Sequence, residues 1–227
     1  VATAGTTNLG IIDELPSIAA FADEEKIWFH VDGAYGLAAL ANEKTRTLFA
    51  GIEKADSFIV DPHKWLFAPY DVCALIYRNP EDGRKAHTQH AGYLDTLTES
   101  HEWNPSDYAI QLTRRTRGLP LWFSLAAHGT KAYSDAIAKT MDVTRHAAEL
   151  IRQHPGLHLI LEPTLSIVAF TRKGWTAKDY DAWSEKLLKD QIGFVTPSRH
   201  KGEPILRFAI VNPWTNESDI EAILATL

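Results

Sequence analysis

The chain has 227 residues, 45% of them hydrophobic, which is enough for one sizeable core or for parts of two domains. Its formal net charge is −6, and its basic residues are dispersed apart from a cluster at 114–117, so a nucleic-acid or membrane-surface partner is not expected. No apolar run approaches the roughly 20 residues that a membrane-spanning helix needs. The single cysteine, Cys73, excludes an intrachain disulfide, and its apolar neighbours predict a buried thiol in a cytoplasmic protein.

The first part of the chain alternates between extended and helical patterns. Residues 1–4 are expected to finish a strand, and a Gly/Thr loop follows at 5–8. Apolar residues at helical spacing predict a helix from Asp13 or Glu14 to about Lys26. The pattern then predicts strands at 27–32, 56–60 and 71–78, with a largely helical stretch at 37–50. This alternation indicates parallel βαβ units.

The second part begins with residues 79–107, which show no convincing period and are predicted to form a functional lid or binding loop. A helix is expected from Leu119 to about Gln153, and a His-Pro-Gly sequence at 154–156 ends it. Beyond it, strands are predicted at 157–161, 165–171 and 204–211, and helices at 177–191 and 216–226. Thr176 and either Thr215 or Asn216 are the expected N-caps of those helices.

A lysine follows the strand predicted at 56–60. Asp61-Pro62 ends this strand, because proline cannot pair in a sheet and restricts the residue before it. The turn that follows carries His63 and Lys64 and leads into the apolar residues 65–67. Apolar surroundings favour a neutral amine, which Schiff-base chemistry needs. Taken alone, the residue could equally be a surface lysine on a loop.

An acid occupies the corresponding place after the strand predicted at 27–32. This strand ends at Asp32, and small residues follow it. Open α/β sheets place their ligands at the carboxyl ends of parallel strands, so Asp32 and Lys64 are expected at the same edge. A buried ion pair between the two without any cofactor is the alternative.

Two segments together resemble a known family. They are His-Val-Asp-Gly-Ala-Tyr at 30–35 and Asp-Ser-Phe-Ile-Val-Asp-Pro-His-Lys-Trp at 56–65. Both are similar to the pyridoxal-phosphate (PLP) dependent group II amino-acid decarboxylases, to which aromatic-L-amino-acid decarboxylase belongs. The resemblance is strong to about residue 125 and looser from there to the C-terminus.

The resemblance implies an α/β fold of the PLP-dependent transferase type, fold type I, as in aspartate aminotransferase. It assigns residues 1–118 to the C-terminal part of a large PLP-binding domain with a parallel-rich sheet. Residues 119–155 would be a linking helix, and residues 156–227 a small α+β C-terminal domain. The chain would then begin inside a domain, as a fragment, a cleaved form or the second half of a split enzyme.

The resemblance also assigns roles around the cofactor. Lys64 would carry PLP as an aldimine, and Asp32 would hold the protonated pyridine nitrogen so that the ring accepts electrons. Ala34, two residues beyond Asp32 and on the same face of an extended segment, would lie under the ring.

Further contacts are expected from Ser57 and His63, which resemble phosphate-binding residues, and from Thr7, which would lie near the cofactor. Asp61 departs from the asparagine of the animal enzymes. A carboxylate beside a phosphate would be repulsive unless it points elsewhere or is itself paired.

A catalytic loop is implied within the irregular stretch. Tyr93-Leu94 matches the family's tyrosine and leucine, which makes Tyr93 the candidate proton donor after loss of carbon dioxide. A related branch that forms aldehydes tends to carry phenylalanine there, so Tyr93 favours simple decarboxylation. The histidines at 87, 90, 101 and 128 lack any metal-binding frame, and no metal site is expected. Arg114 is expected to make structural ion pairs.

The predicted function is therefore PLP-dependent decarboxylation of an L-amino acid, aromatic by preference, in a homodimer or in a complex with the missing N-terminal half. Much of the site would lie upstream of residue 1, so the chain alone is expected to bind PLP poorly and to be inactive. Three alternatives stay open: an acidic or diamino substrate, another fold-type-I activity such as an aminotransferase or lyase, and a non-catalytic fragment that acts as an interaction module.

Overall fold

The structure is a computed structural model that describes residues 1–89 and 103–227. Within these ranges the chain forms two four-stranded sheets and a long helix. The strands are β1 Ala2–Thr3, β2 His30–Asp32, β3 Ser57–Val60, β4 Ala74–Tyr77, β5 Leu157–Leu159, β6 Ile167–Arg172, β7 Ser198–His200 and β8 Glu203–Ala209. The α-helices are α1 Leu15–Glu24, α2 Pro80–His87, α3 Leu119–Gln153, α4 Ala177–Lys189 and α5 Glu217–Leu224.

The first sheet has the strand order β1-β2-β3-β4 and is mostly parallel. Strands β1, β2 and β3 run in the same direction, and only β4 is antiparallel to its neighbour. The register sets Thr3 opposite Asp32 and Asp32 opposite Ile59. The carboxyl ends of the three parallel strands therefore meet at one edge, which confirms the prediction of parallel βαβ units.

The connections of this sheet are helical. Helix α1 has Pro16 in its first turn, where no intrahelical donor is lost, and it buries Leu15, Ala19 and Ala22 at three- and four-residue spacing. The stretch predicted as largely helical at 37–50 forms two 3-10 helices, Gly36–Ala41 and Glu43–Phe49. Asn42 separates the two and accepts a hydrogen bond from the backbone of Lys44.

The second sheet, β5-β6-β8-β7, is antiparallel throughout. Helices α4 and α5 begin with capping boxes, in which Thr176 pairs with Asp179 and Asn216 pairs with Asp219. Thr176 and Asn216 are thus confirmed as N-caps. Strand β7 was not predicted, because its three residues, Ser198–His200, are polar and lack apolar alternation.

Helix α3 contributes to both hydrophobic cores. Its residues Ile137 and Met141 pack with the first sheet, and its last turns pack with the second. Gly129 has φ 75° and ψ 162°, so the helix is kinked there. Leu165, which follows β5, also packs in the first core. The two parts of the chain therefore share buried contacts, and the boundaries at 118 and 155 stay a prediction.

Two local predictions were wrong. The stretch predicted to be irregular at 79–107 contains helix α2, which Asn79 caps. The helix lacks apolar residues at helical spacing, but its acidic first turn and basic last turn match the helix dipole. Cys73 is exposed instead of buried, because it immediately precedes β4, an edge strand of the sheet. Across the two described ranges, no helix is long and apolar enough to cross a membrane.

Candidate active site

The carboxyl edge of the first sheet brings two sequence-distant turns together. Gly33 N donates to Ile59 O over 3.2 Å, and Asp61 N donates to Ala34 O over 2.9 Å. The turn after β2 and the turn after β3 are therefore joined by backbone hydrogen bonds. As predicted, Asp32, the last residue of β2, and Lys64, in the turn after β3, lie at the same edge of the sheet.

Lys64 forms an ion pair with Asp61, not with Asp32. Its Nζ lies 2.8 Å from Asp61 Oδ2, and its backbone N donates to Asp61 O over 2.9 Å. The Asp61 side chain is 13% exposed and that of Lys64 is 42% exposed. In the part of the chain that the structure describes, Lys64 is paired with Asp61 and not with Asp32, so the alternative of a buried Lys64–Asp32 ion pair is wrong, and the lysine side chain is partly exposed and not enclosed by its apolar neighbours. Asp61, the residue that departs from the family, is paired with Lys64.

Asp32 is held by the turn that follows it. Its Oδ1 accepts a hydrogen bond from Ala34 N over 3.1 Å, and the residue is half-buried. Among the described residues, its Oδ2 has no hydrogen-bond partner in the protein, so this atom can accept from a bound group. Ala34 lies next to it with a side chain of a single carbon, which allows a flat ring to approach.

His63 is fixed on one side. Val72 N donates to His63 Nδ1 over 3.1 Å, and the same ring nitrogen lies 2.6 Å from Val72 O. The His63 ring packs edge-on against Tyr70 with 4.9 Å between the ring centroids. Because Nδ1 is occupied, Nε2 is the atom that can contact a ligand.

Ser57 lies at the opposite end of β3 from the lysine turn. Its hydroxyl is 2.9 Å from Trp28 Nε1 and 2.7 Å from His30 Nδ1, and the residue is 4% exposed. A strand rises about 3.3 Å per residue, so Ser57 is roughly 10 Å from the carboxyl end of β3. The structure therefore does not support Ser57 as a phosphate contact. Its position as the first residue of a parallel strand already indicated this.

Thr7 belongs to the loop after β1, at the same edge of the sheet as Asp32, because β1 and β2 are parallel. Its side chain is exposed, and its backbone O accepts a hydrogen bond from Arg207 of β8. Asn8 of the same loop bonds with Ser198 Oγ at 3.0 Å and Arg199 O at 3.0 Å. The second sheet thus holds this loop in place.

Sequence reasoning missed two residues at this edge, Arg207 and Tyr35. Arg207 is about 200 positions from the loop it contacts, so no local pattern indicated the contact. Tyr35 lies three residues after Asp32, and its hydroxyl is 2.6 Å from Ser166 Oγ in the second part of the chain. The predicted proton donor, Tyr93, lies outside the described residues.

Comparisons with known proteins identify a family and several relatives. The family described as "Pyridoxal-dependent decarboxylase conserved domain" matches residues 1–173. An aromatic-L-amino-acid decarboxylase of Bacillus atrophaeus is 31% identical over 99% of this chain and 48% of its own length. The acidic amino acid decarboxylase GADL1 of Xenopus tropicalis is 35% identical over 74% of this chain and 34% of its own length.

Solved structures show the same fold. The crystal structure of mouse CSAD superposes with a TM-score of 0.85 and 26% identity, over 99% of this chain and 50% of that one. Oryza sativa TDC with PLP and tryptamine gives a TM-score of 0.87 at 24% identity, over 99% of this chain and 49% of that one, a likeness of fold. The fold is thus that of the PLP-dependent group II decarboxylases, and the predicted fold class is confirmed.

Fold and family match together define the class of protein. The chain belongs to the pyridoxal-dependent decarboxylase family. It spans about half the length of the curated relatives it matches.

Proposed function

We propose that this chain supplies the lysine-bearing half of a PLP-dependent amino-acid decarboxylase. The observation that carries the proposal is the pair of backbone hydrogen bonds, Gly33 to Ile59 and Asp61 to Ala34, that sets Asp32 and Lys64 on joined turns at one sheet edge. A carboxylate, an amine and a small side chain at that edge are the groups a pyridine aldehyde requires.

Each residue at this edge would have a different role toward the cofactor. Asp32 Oδ2 would hold a proton at the pyridine nitrogen, and Lys64 Nζ would be the amine that joins the aldehyde. When bound, PLP supplies the electron sink for the bond between the α-carbon and the carboxylate. Ala34 would face the ring, while His63 Nε2 and the loop of Thr7 would contact its periphery.

Lys64 must leave Asp61 before it can react. Schiff-base formation uses the unprotonated amine, whereas the 2.8 Å ion pair joins a carboxylate to an ammonium group. Because the lysine side chain is 42% exposed, water can take part in this exchange, and the ion pair itself contributes little stability.

The decisive experiment is covalent trapping. The complete enzyme, including the segment that supplies the rest of the site, is incubated with PLP, reduced with borohydride and digested, and the labelled peptide is identified by mass spectrometry. We expect the label on Lys64 and none in Lys64→Ala, while Lys54→Ala, an exposed lysine near the other end of β3, keeps it. A label on another side chain, or no label at all, would overturn the proposal.

Tyr93 is proposed as the residue that returns a proton to the α-carbon. The support is its place in the Tyr93-Leu94 pair within the family's catalytic loop. Tyr93→Phe is expected to convert amine production into aldehyde production, measured by chromatography of the products. Unchanged amine yield from Tyr93→Phe would remove Tyr93 from the mechanism.

An aromatic amino acid is the proposed substrate. A relative named for aromatic substrates is 31% identical over 99% of this chain, while relatives named for acidic substrates are 32% identical over 98% and 35% identical over 74% of it. Release of carbon dioxide from a panel of aromatic, acidic and diamino acids distinguishes these substrates. It also separates a decarboxylase from an aminotransferase, which releases none.

We further propose a cytoplasmic enzyme whose active unit is a homodimer or a complex with the segment that supplies the rest of the site. The support is that relatives are about twice as long as this chain. The 227-residue chain alone is expected to take up PLP poorly. Sedimentation analysis combined with a PLP titration tests both points, and saturable uptake by a monomer would contradict them.

A further inference from the structure

Two aromatic rings, half-buried Tyr35 and buried Trp65, connect the turn after Asp32 to the turn of Lys64. Tyr35 follows Ala34 directly, and Trp65 follows Lys64 directly. Their ring centroids are 5.1 Å apart with 17° between the planes, and Trp65 has no exposed surface. Stacked rings resist sliding and tilting, so the pair, here named the aromatic clamp, restricts the relative motion of the two turns.

The polar end of each ring is tied to a different part of the chain. Tyr35 Oη lies 2.6 Å from Ser166 Oγ and accepts from Ser166 N over 2.9 Å, across 131 positions. Trp65 Nε1 donates to Thr140 Oγ1 of helix α3 over 3.0 Å. Ser166 and Thr140 have no exposed surface, so both anchors are shielded from water.

The partners of Tyr35 Oη limit what this residue can do. Ser166 N–H donates to Tyr35 Oη, and either hydroxyl can be the donor in the bond between Tyr35 Oη and Ser166 Oγ. Burial raises the pKa of Tyr35 well above its usual value, so the phenol keeps its proton. Tyr35 is therefore suited to hold structure and unsuited to donate a proton to a substrate.

The attachment point of Ser166 is rigid. Its neighbour Leu165 packs in the core of the first sheet, and Leu165 Cδ1 is 3.1 Å from where a Cβ on Gly5 would lie. Ser166 O also accepts from Ile210 N over 2.9 Å, which connects the segment to the end of β8. Tyr35 is thus bonded to a fixed part of the second half of the chain.

We propose that Tyr35 is a positioning residue, which acts through Ser166 and Trp65 to hold Lys64 and Asp32 in the arrangement that receives the cofactor. This inference rests on the proposed function and extends it. The second half of the chain controls the geometry of the lysine turn through two side-chain contacts, Tyr35 with Ser166 and Trp65 with Thr140, although it does not itself carry Asp32 or Lys64.

The test compares Tyr35→Phe, Ser166→Ala and the double variant with wild type. Tyr180→Phe is the matched control, because Tyr180 is 2% exposed and its hydroxyl also accepts a backbone N–H, from Arg172 at 2.9 Å, away from Lys64. Two quantities are measured on the complete protein. One is the rate of Lys64 acylation by acetic anhydride without cofactor, and the other is the PLP concentration that gives half-maximal borohydride-fixed label.

Tyr35→Phe is expected to raise the acylation rate of Lys64, and the PLP concentration for half-maximal labelling, each by about 3- to 10-fold, the range expected for lost hydrogen bonds. Ser166→Ala removes only the bond between the two hydroxyls and keeps the backbone N–H that donates to Tyr35 Oη, so it should change both quantities in the same direction by less. The double variant should add little to Tyr35→Phe, which already removes both bonds. Tyr180→Phe should change neither quantity.

If Tyr35 has only a structural role, the variants should give a different result. Tyr35→Phe and Tyr180→Phe would then lower the denaturation midpoint alike, with Lys64 acylation and labelling unchanged, and the inference would be overturned. If Tyr35→Phe does not fold, Ser166→Ala provides the test: unchanged Lys64 acylation and labelling in this variant would overturn the inference. Should wild type fail to label Lys64 with PLP, the proposed function fails, while the acylation measurement still tests the aromatic clamp.

Discussion

Asp61 Oδ2 lies 2.8 Å from Lys64 Nζ, three positions away on the same turn. The first residue of the Asp-Pro-His-Lys sequence thus holds the side chain of the last. The proline between them is buried and the turn is short, so the pair forms locally and does not depend on the second half of the chain.

Asp61→Asn is expected to speed the reaction of Lys64 with PLP several-fold. The substitution removes both the ion pair to the amine and a negative charge that repels the phosphate of the incoming cofactor. Because Lys64 is 42% exposed, the free energy of unfolding should change by less than about 1 kcal/mol.

The rate of borohydride-fixed labelling of Lys64 measures this effect. Asp23→Asn is the control, since Asp23 pairs with Lys26 at the same three-residue spacing, 3.3 Å apart, on an exposed surface. Equal labelling rates in Asp61→Asn and wild type would show that the ion pair does not limit access to the amine.

Asp32→Asn is expected to keep the covalent label on Lys64 but to lower decarboxylation by roughly 100-fold or more, the usual cost of removing one electrostatic partner of the reacting group. Asparagine can still accept the hydrogen bond from Ala34 N, so the turn should stay folded. Release of carbon dioxide by the complete enzyme measures the effect.

Asp56→Asn serves as the comparison for Asp32→Asn. Asp56 also accepts a backbone hydrogen bond, from Phe29 N at 2.7 Å, but near the amino ends of the strands. The Asp56→Asn variant should lose far less decarboxylase activity than Asp32→Asn. Turnover by Asp32→Asn within threefold of wild type would remove Asp32 from the proposed chemistry.

Gly36→Ala is expected to destabilise the fold by about 1–3 kcal/mol, the range for overpacking a core. An added Cβ would lie 2.1 Å from Ala4 O and 2.8 Å from Leu165 Cδ1. The loop after β1 and the segment before β6 would both have to shift, which also loosens the edge that carries Asp32.

Gly118→Ala is the matched variant for Gly36→Ala, because a Cβ there would meet nothing within 4 Å. It should be neutral or slightly stabilising through the unfolded chain. Denaturant midpoints of the two variants provide the measurement, and equal midpoints would refute the packing argument.

Acidification is expected to destabilise the first sheet through His30. Burial lowers the pKa of His30 below its ordinary value of 6.5, although the nearby Asp32 opposes this. As the pH falls below that ordinary value, the unfolded chain takes up the proton first, so the free energy of unfolding decreases until the folded chain is also protonated.

Denaturant unfolding at about pH 7.5 and about pH 5.5 tests this pH dependence, on either side of the ordinary histidine value. His30→Gln should reduce the difference between the two conditions, whereas His158→Gln, at an exposed position, should not. The same pH dependence in wild type and His30→Gln would assign the effect to another group.

Much of the site could be predicted from sequence because its main residues lie just after strands. Asp32 and Lys64 follow apolar runs, and parallel strands bring such positions to one edge whatever the details of packing. The caps at Thr176 and Asn216 were predictable for the same reason, since each depends on contacts within four residues. Helix α2 was missed because apolar spacing does not mark it.

Only the tertiary structure decided which partner each side chain has. Ser57 is the first residue of β3, at the end opposite the lysine turn, and its hydroxyl bonds to the side chains of Trp28 and His30. Cys73 is exposed because it immediately precedes the edge strand β4, and Tyr35 and Arg207 reach across 131 and 200 positions. The sequence by itself determined the order and direction of the local elements, which short-range backbone preferences set. Contacts between distant residues depend on how the two halves pack, and no local pattern encodes that packing.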